Sequence, residues 1–526
     1  MTFNKTDILI ALLLFALALS FYLNYATKVI WSPDEMNYYM GANELINHGS
    51  INLNNPLNEE YESSIFNYGF TVFKNSTEQY PGGFTGSLLF MAMIMGVFGK
   101  SSFFYISPVF GAIGVVAIYF IVKTIFSSRY LGILAALLLF STPIWIRWST
   151  EHYNNVPMTT FFLLALLALL ALKGNARFLV AGVLLSVATI IRLPAVLFLP
   201  PFLLLLAMQQ TGRRQYLLFL APIAFALPVF LLVSKYALYG DPFFLPFNHV
   251  HSYPVDPLVE DTPTSVTQHF AFSSGDRAAI VDAIRFFFTK SFPFLFLYPS
   301  LVGLLLLFKD RTRYFFFIAL ALAILLVFHG RAYGGFEAGG RVSLQSSFLR
   351  YMIPVYALLP IGLACLLKEI AGKITRFKYI AVLLGTIMIL MISFTVTYSD
   401  YGLDMLEELR NDRIDIGHKI DSVVAPESII ITDLVALPAC AMHHENIIFY
   451  PDIPEEIRID EITRVLRMVL VEHRVFFIGS MYVGSDTTQQ NTELLNHLGE
   501  EFAITKSDEI RHIEIHEINL AAMNST

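Results

Sequence analysis

The chain has 526 residues, is 55% hydrophobic and only 15% charged, and carries 47 phenylalanines and a formal net charge of −7. A soluble domain holds roughly a quarter charged residues, so this composition excludes an ordinary soluble enzyme and points to an integral membrane protein. The acidic balance argues against a nucleic-acid partner, and the two cysteines, Cys365 and Cys440, make no disulfide framework.

Residues 8–19 are apolar after a single basic residue, Lys5, and no small-residue cleavage site follows, so this run reads as an uncleaved membrane helix. Apolar runs then recur at 103–126, 130–147, 157–172, 177–191, 193–208, 215–235, 291–308, 314–329, 350–367 and 379–398, the first of the set being 7–27. Several are short, which a tilted bundle in a thin bilayer tolerates. With the N-terminus in the cytoplasm, Lys5, Lys123 with Arg129, Lys173 with Arg177, Arg213 with Arg214, the Lys309–Arg313 cluster and the Lys368–Lys378 cluster all fall on the inner side, as the bias of basic loops requires. That parity holds only if the 84–98 stretch, apolar but short, lies along the outer surface instead of crossing. Residues 177–208 then form a hairpin of two short spans with Arg192 at its outer apex. The expectation is a polytopic α-helical protein of the cell membrane with about eleven spans and its C-terminus outside.

Two stretches break the apolar pattern. The first outer loop, 28–102, includes juxtamembrane helices, and the tail 399–526 reads as a soluble α/β domain with strands near Ile429–Thr432 and Val475–Ile478 and a helix near Pro454–Glu472. The linear division is therefore 1–398 for the transmembrane domain and 399–526 for an outward-facing domain.

Polar residues gather on the predicted outer side. Asp34-Glu35 follow the first span; Glu78 and Tyr80-Pro81 precede the flat segment; Glu151, His152 and Asn155 stand before the fourth span; Arg192 is at the hairpin apex; Glu337, Arg341 and Arg350-Tyr351 border the late loop. A carboxylate deprotonates an acceptor, and an arginine takes the charge of a departing phosphate. The bland alternatives stay open: Asp34 as a helix cap, Tyr80-Pro81-Gly82-Gly83 as a turn, and Arg192 or Arg350 reaching the interface.

This arrangement resembles the GT-C glycosyltransferases: an acidic pair after the first span, an aromatic-Pro motif before a flat helix, a polar segment after span three, and a late Arg350-Tyr351-Met352-Ile353-Pro354. The nearest branch is that of protein O-mannosyltransferases, aminoarabinose transferases and lipopolysaccharide glycosyltransferases, and the resemblance covers about residues 5–400. It implies a GT-C-like fold and transfer of a sugar from a polyprenyl-phosphate donor to a protein, lipid or glycan acceptor. Asp34 would be the catalytic base and Glu35 its support. Glu78, Tyr80, Glu151, His152, Asn155, Arg192, Glu337, Arg341, Arg350 and Tyr351 would contact substrate, with Arg192 or Arg350 on the phosphate. Where such proteins often have an Asp before the fourth span, this chain reads Asn154-Asn155-Val156-Pro157, and Glu151 is the nearest acid. The tryptophan-rich motif of whole-glycan transferases is absent.

No cofactor motif stands out. A divalent metal stays open, because carboxylates are present without a ligand set; His249-Val250-His251 reads as an exposed loop pair, since alternating histidines need further ligands. The alternative activity is translocation of a lipid-linked sugar. Transporters place ionisable groups along broken spans in repeated halves, whereas these spans are nearly free of charge and no halves repeat.

Overall fold

The computed structural model describes the chain except residues 1–3, 27, 29, 31, 54, 62–70, 74–78, 83–84, 241–273, 290–293, 331–346, 374–382, 384–385, 388–389, 392–402, 434–435, 437–439, 441–443, 445, 453–454, 481–485, 511–512 and 521–526. Glu78, His249, His251, Glu337 and Arg341 lie outside the described residues, as does most of the 379–398 run. The chain divides into two compact units, and not at one point along its length. The first comprises Met1–Thr27, Ser101–Ala237 and Val266–Glu407; the second comprises Lys28–Lys100, Leu238–Ser265 and Glu408–Thr526. The loop after the first helix, residues 28–100, thus falls in the same unit as the tail.

The first unit is helical and apolar. Among the described residues, five helices are long and apolar enough to cross a membrane: Lys5–Tyr25, Lys100–Phe126, Arg213–Tyr239, Arg311–Gly330 and Ile353–Ala371. Asn155–Ala171, Ala176–Ile191, Leu193–Met208 and Leu297–Lys309 are shorter apolar helices. The 130–147 run is not one straight helix. Arg129–Phe140 and Pro143–Ser149 meet at a 65° bend, because Pro143 brings no N–H to the ladder and the Thr142 hydroxyl turns back to donate to the Leu138 carbonyl at 2.7 Å. This bend aims Arg147 and Trp148 away from the helix they would otherwise extend.

Lipid tails are as apolar as leucine, so helices in a bilayer associate through close packing rather than burial from water. Lys5–Tyr25 shows the consequence: Ile8, Leu9, Leu12, Leu13 and Leu17 are exposed, while Ala11, Leu14, Ala18 and Tyr22 are buried at helical spacing. Small residues allow the closest crossings. A Cβ on Gly114 would lie 2.5 Å from Trp145, and one on Gly111 would lie 2.5 Å from the Ser149 hydroxyl. At the crossing of Phe294–Gly330 with Ile353–Lys373, a Cβ on Gly303 would overlap the Gly362 carbonyl, and one on Gly362 would overlap that of Ser300. One ionic cluster ties the unit: Asp7, which closes a capping box with Asn4, receives Lys123 at 2.5 Å and Arg129 at 2.8 Å, and Tyr119 donates to it at 3.2 Å.

The second unit starts with the helix Pro33–His48. Ser32 is its cap, not Asp34: the Ser32 hydroxyl accepts from the Glu35 N–H at 3.3 Å, and the Glu35 carboxylate accepts from the Ser32 N–H at 3.2 Å. Proline at the first helical position needs no partner for a missing N–H, and Gly49, at φ 69°, ends the helix with its N–H on the Leu45 carbonyl at 3.0 Å. Short strands β1 (Thr71–Phe73) and β2 (Gln79–Pro81) pair antiparallel, and Pro81 and Leu88 crowd Gly41 of the helix.

The rest of this unit is an α/β sheet. Its strands are β3 (Ile429–Thr432), β4 (Ile447–Phe449), β5 (Val475–Ser480), β6 (Phe502–Ile510) and β7 (Ile513–Leu520), in the order β4-β3-β5-β7-β6. β3 is parallel to β4 and β5, and β7 is antiparallel to β5 and β6. The helix Glu455–Val469 buries Ile462, Val465, Leu466 and Val469 against Ile429, Ile431 and Phe477. Leu57 and Tyr61 enter the same core, and Asn55 donates to Asn446 at 3.3 Å, which is why residues 28–100 and the tail form one body.

Gly362→Leu is expected to force the two crossing helices apart, an overpacking that costs about 1–3 kcal/mol; a thermal shift of the purified protein in detergent reads it as a lower Tm, with Gly417→Ala, where a Cβ meets nothing within 4 Å and helix propensity favours alanine, as a control whose Tm does not fall.

Candidate active site

The first unit gathers its buried polar side chains around the start of the helix Asn155–Ala171. Asn154 sits in the capping position but makes no side-chain cap to the helix. Its amide oxygen instead accepts from Arg192 Nη1 at 2.9 Å, and that of Asn155 accepts from the same nitrogen at 2.6 Å. Arg192 is where the helix Ala176–Ile191 stops, in an extended conformation followed by a 3₁₀ turn with Pro194 in its first positions. The chain break thus holds the guanidinium at the hairpin apex, pointed at the two asparagines. Asn155 also uses its amide N–H, which donates to the Arg350 carbonyl at 3.2 Å. One neutral side chain therefore joins two arginine-bearing segments that are far apart in sequence.

Aromatic rings hold the cations in place. The Arg192 guanidinium lies 4.7 Å from the Tyr351 ring, against which His329 stacks at 4.5 Å. Arg350 lies 4.5 Å from Tyr153 and 5.7 Å from Trp148. Such contacts are worth more when desolvated, and Arg147, Arg192 and Arg350 are all at least nine-tenths buried. Glu151 pairs with Arg147 one helical turn earlier. Burial pushes the Glu151 carboxyl up, while Arg147 and Arg350 pull it back down. His152 is buried between Phe103 at 5.3 Å and Phe104 at 5.0 Å. Among the described residues the Trp148 indole N–H is buried without an acceptor, a donor left over beside the arginines. No group of three or more His, Cys, Asp or Glu side chains among the described residues is placed to hold a metal ion.

Of the residues singled out in the sequence, Glu151, His152, Asn155, Arg192, Arg350 and Tyr351 come together here. Asp34, Glu35 and Tyr80 belong to the second unit. Asp34 is exposed in the first turn of Pro33–His48. Glu35 is fully buried by its capping box. Tyr80 packs in a small core with Ile51, Leu88 and Tyr239, its ring 5.1 Å from that of Tyr239.

The fold has known counterparts. ArnT from Cupriavidus metallidurans bound to undecaprenyl phosphate superposes with a TM-score of 0.60 at 12% identity, over 99% of this chain and 99% of that one. The apo state of the same protein gives 0.58 at 12% identity, over 96% and 97%. A family model described as dolichyl-phosphate-mannose-protein mannosyltransferase matches residues 86–238. The chain thus has the fold of ArnT, and residues 86–238 resemble the mannosyltransferase family. No curated protein matches it by sequence at a significant level. The matched stretch takes in the Arg147–Asn155 segment and Arg192, while His329, Arg350 and Tyr351 lie beyond it.

Arg147, Trp148 and His329 escape a reading of the sequence as site residues. Arg147 and Trp148 end an apolar run and His329 ends another, where they pass for interface anchors. The available signal was the spacing of Arg147 and Glu151, four apart and so on one helical face. Arg147→Ala is expected to leave the buried Glu151 without its nearest cation and to destabilise the protein by about 3–5 kcal/mol; a lower Tm partly recovered by the double variant with Glu151→Gln is the measurement.

Proposed function

We propose that this integral membrane protein moves a sugar from a polyprenyl-phosphate donor to an acceptor on the outer face of the membrane. The observation that carries the reading is the buried group of Arg147, Arg192 and Arg350, with Arg192 held by neutral amides. A phosphate is an anion that an arginine fork binds with two parallel hydrogen bonds. The undecaprenyl phosphate bound by ArnT, a protein of the same fold, supports a lipid phosphate as the donor's carrier. The Trp148 indole is one further donor suited to a phosphate oxygen.

In this reading Asp34 is the general base. It takes the proton of the acceptor's hydroxyl or amine, the freed electron pair forms a bond to the anomeric carbon, and the bond from that carbon to the phosphate oxygen breaks. The phosphate leaves with that electron pair, and the sugar inverts. Exposure suits Asp34 to meeting an acceptor from the aqueous side. Glu35 supports by fixing the start of that helix through its capping box. Glu78, Glu337 and Arg341 remain proposed substrate contacts outside the described residues. About eleven spans with a cytoplasmic N-terminus put the 28–102 loop and the 399–526 domain outside, by the distribution of Lys and Arg.

Asp34→Asn is expected to lower kcat for transfer from a polyprenyl-phosphate sugar by about 10²–10⁴-fold with little change in donor binding, the ordinary contribution of a general base. Turnover like that of the unaltered protein sinks the assignment of Asp34. Movement of lipid-linked sugar between leaflets of a vesicle, with no acceptor present and no transfer when one is added, replaces the transferase reading with a transporter.

A further inference from the structure

Residues 152–240 contain no Asp or Glu, yet Lys173, Arg177, Arg213 and Arg214 all fall within them. The fold brings these cations to one end of the bundle. Arg177 sits in the first turn of the helix Ala176–Ile191, and Arg213 and Arg214 open the helix Arg213–Ala221. Leu193–Met208 carries the chain back between the two, and its Phe202 meets Phe219 at 5.7 Å. The two outer helices therefore run in the same direction. Gly182 sets their register, because a Cβ on it would overlap the Phe219 carbonyl. Arg177 precedes Gly182 by as many residues as Arg214 precedes Phe219, so both helices start at one height. At a rise of about 1.5 Å per residue this end lies roughly 22 Å from the Arg192 end of the same helix, away from the arginine cluster described above.

A basic helix end elsewhere in the unit has its own acid: Lys123 and Arg129 both reach Asp7. Among the described residues no ion pair joins Lys173, Arg177, Arg213 or Arg214 to a carboxylate. The Arg177 guanidinium lies 4.5 Å from the Phe178 ring, and its Nε is buried without an acceptor among those residues. Lys173, Arg213 and Arg214 are exposed. Beyond the cations both helices turn apolar side chains outward, Leu179, Val180 and Val183 on one and Leu217 on the other. Cations at the foot of an exposed apolar wall suit a molecule with an anionic head and hydrocarbon tails. Arginine pairs with two phosphate oxygens at once, and basic pockets between membrane helices take anionic head groups. A soluble anion would leave the apolar wall unused, and a zwitterionic lipid would bring a cation of its own to the arginines.

We propose that the paired starts of the helices Ala176–Ile191 and Arg213–Ala221 bind one anionic phospholipid, its phosphate among Arg177, Arg213 and Arg214 and its chains along Leu179, Val183 and Leu217. The proposal is independent of sugar transfer. By the distribution of Lys and Arg this lipid belongs to the inner leaflet, so it would brace the hairpin that carries Arg192 from the opposite side of the membrane.

Native mass spectrometry of the full-length protein, titrated in detergent with phosphatidylglycerol or with phosphatidylcholine, tests it. One phosphatidylglycerol is expected to bind about tenfold more tightly than phosphatidylcholine. The triple variant Arg177→Gln, Arg213→Gln, Arg214→Gln should lose that preference. If it does not fold, Arg213→Gln with Arg214→Gln, both at exposed positions, carries the test with a loss of about fivefold or more. Lys309→Gln with Arg311→Gln and Arg313→Gln removes as many cations from another basic connection, and it should change the preference by less than about twofold. Equal affinity of the unaltered protein for the two lipids overturns the proposal. So does an equal loss in the control variant, which reduces the effect to general attraction between basic loops and an anionic surface. Displacement of phosphatidylglycerol by glycerol 3-phosphate at equal concentration overturns it as well, since the site then takes a free anion and not a lipid.

Discussion

A guanidinium buried at the end of an apolar bundle needs its donors met and its charge used, and the Arg192–Asn155–Arg350 tie meets that need in this protein. The positions of three segments follow from it. The hairpin apex is held where its helix breaks, the start of the Asn155–Ala171 helix is turned toward that apex, and the Ser347–Tyr351 turn is anchored through its backbone. Because a charged group out of water costs several kcal/mol, such contacts are retained for what the charge does. Here the ring of Tyr351, the amides and the Arg147–Glu151 pair restrain the cations.

The bundle around this cluster is held by geometry. Gly303 against Gly362, and Gly111 and Gly114 against Ser149 and Trp145, bring backbones closer than any side chain would allow. Packing of that kind is the available source of helix association once lipid replaces water. It also explains the 65° bend before Pro143: the bend sends Trp145 back toward Gly114, with its indole donating to the Gly111 carbonyl at 3.3 Å, and carries Arg147 into the polar cluster. Packing and site share the same short helix, so a substitution at Gly111 or Gly114 would be felt at Arg147.

The second unit follows the logic of a soluble domain. A mixed sheet buries its apolar faces under amphipathic helices, and Leu57 and Tyr61 from the first long loop complete that core. The acidic pair opens the same unit, and its two members differ in environment. Glu35 is consumed locally by the capping box, while Asp34, one residue earlier, stays at the surface. Adjacent residues on a helix point about 100° apart, which is enough to separate a buried capping carboxylate from an exposed one.

Much of this was legible in the chain itself. Apolar runs with basic residues between them set the membrane class, because the bilayer demands length and apolarity in each crossing segment. The break at Arg192 is written in Leu193-Pro194, and the Ser32-Pro33-Asp34-Glu35 helix start in its capping residues, although which of these residues caps was visible only in the fold. Tertiary structure alone decided the remainder. Sequence spacing cannot say that Asn155 faces Arg192, thirty-seven positions away, and the Arg350 backbone, one hundred and ninety-five away, nor that Leu57 enters a core built mostly after residue 428. Local propensity and hydropathy act within a few turns of the chain; contacts over such separations are selected by the packing of whole helices and sheets, and only the folded chain records which of them were made.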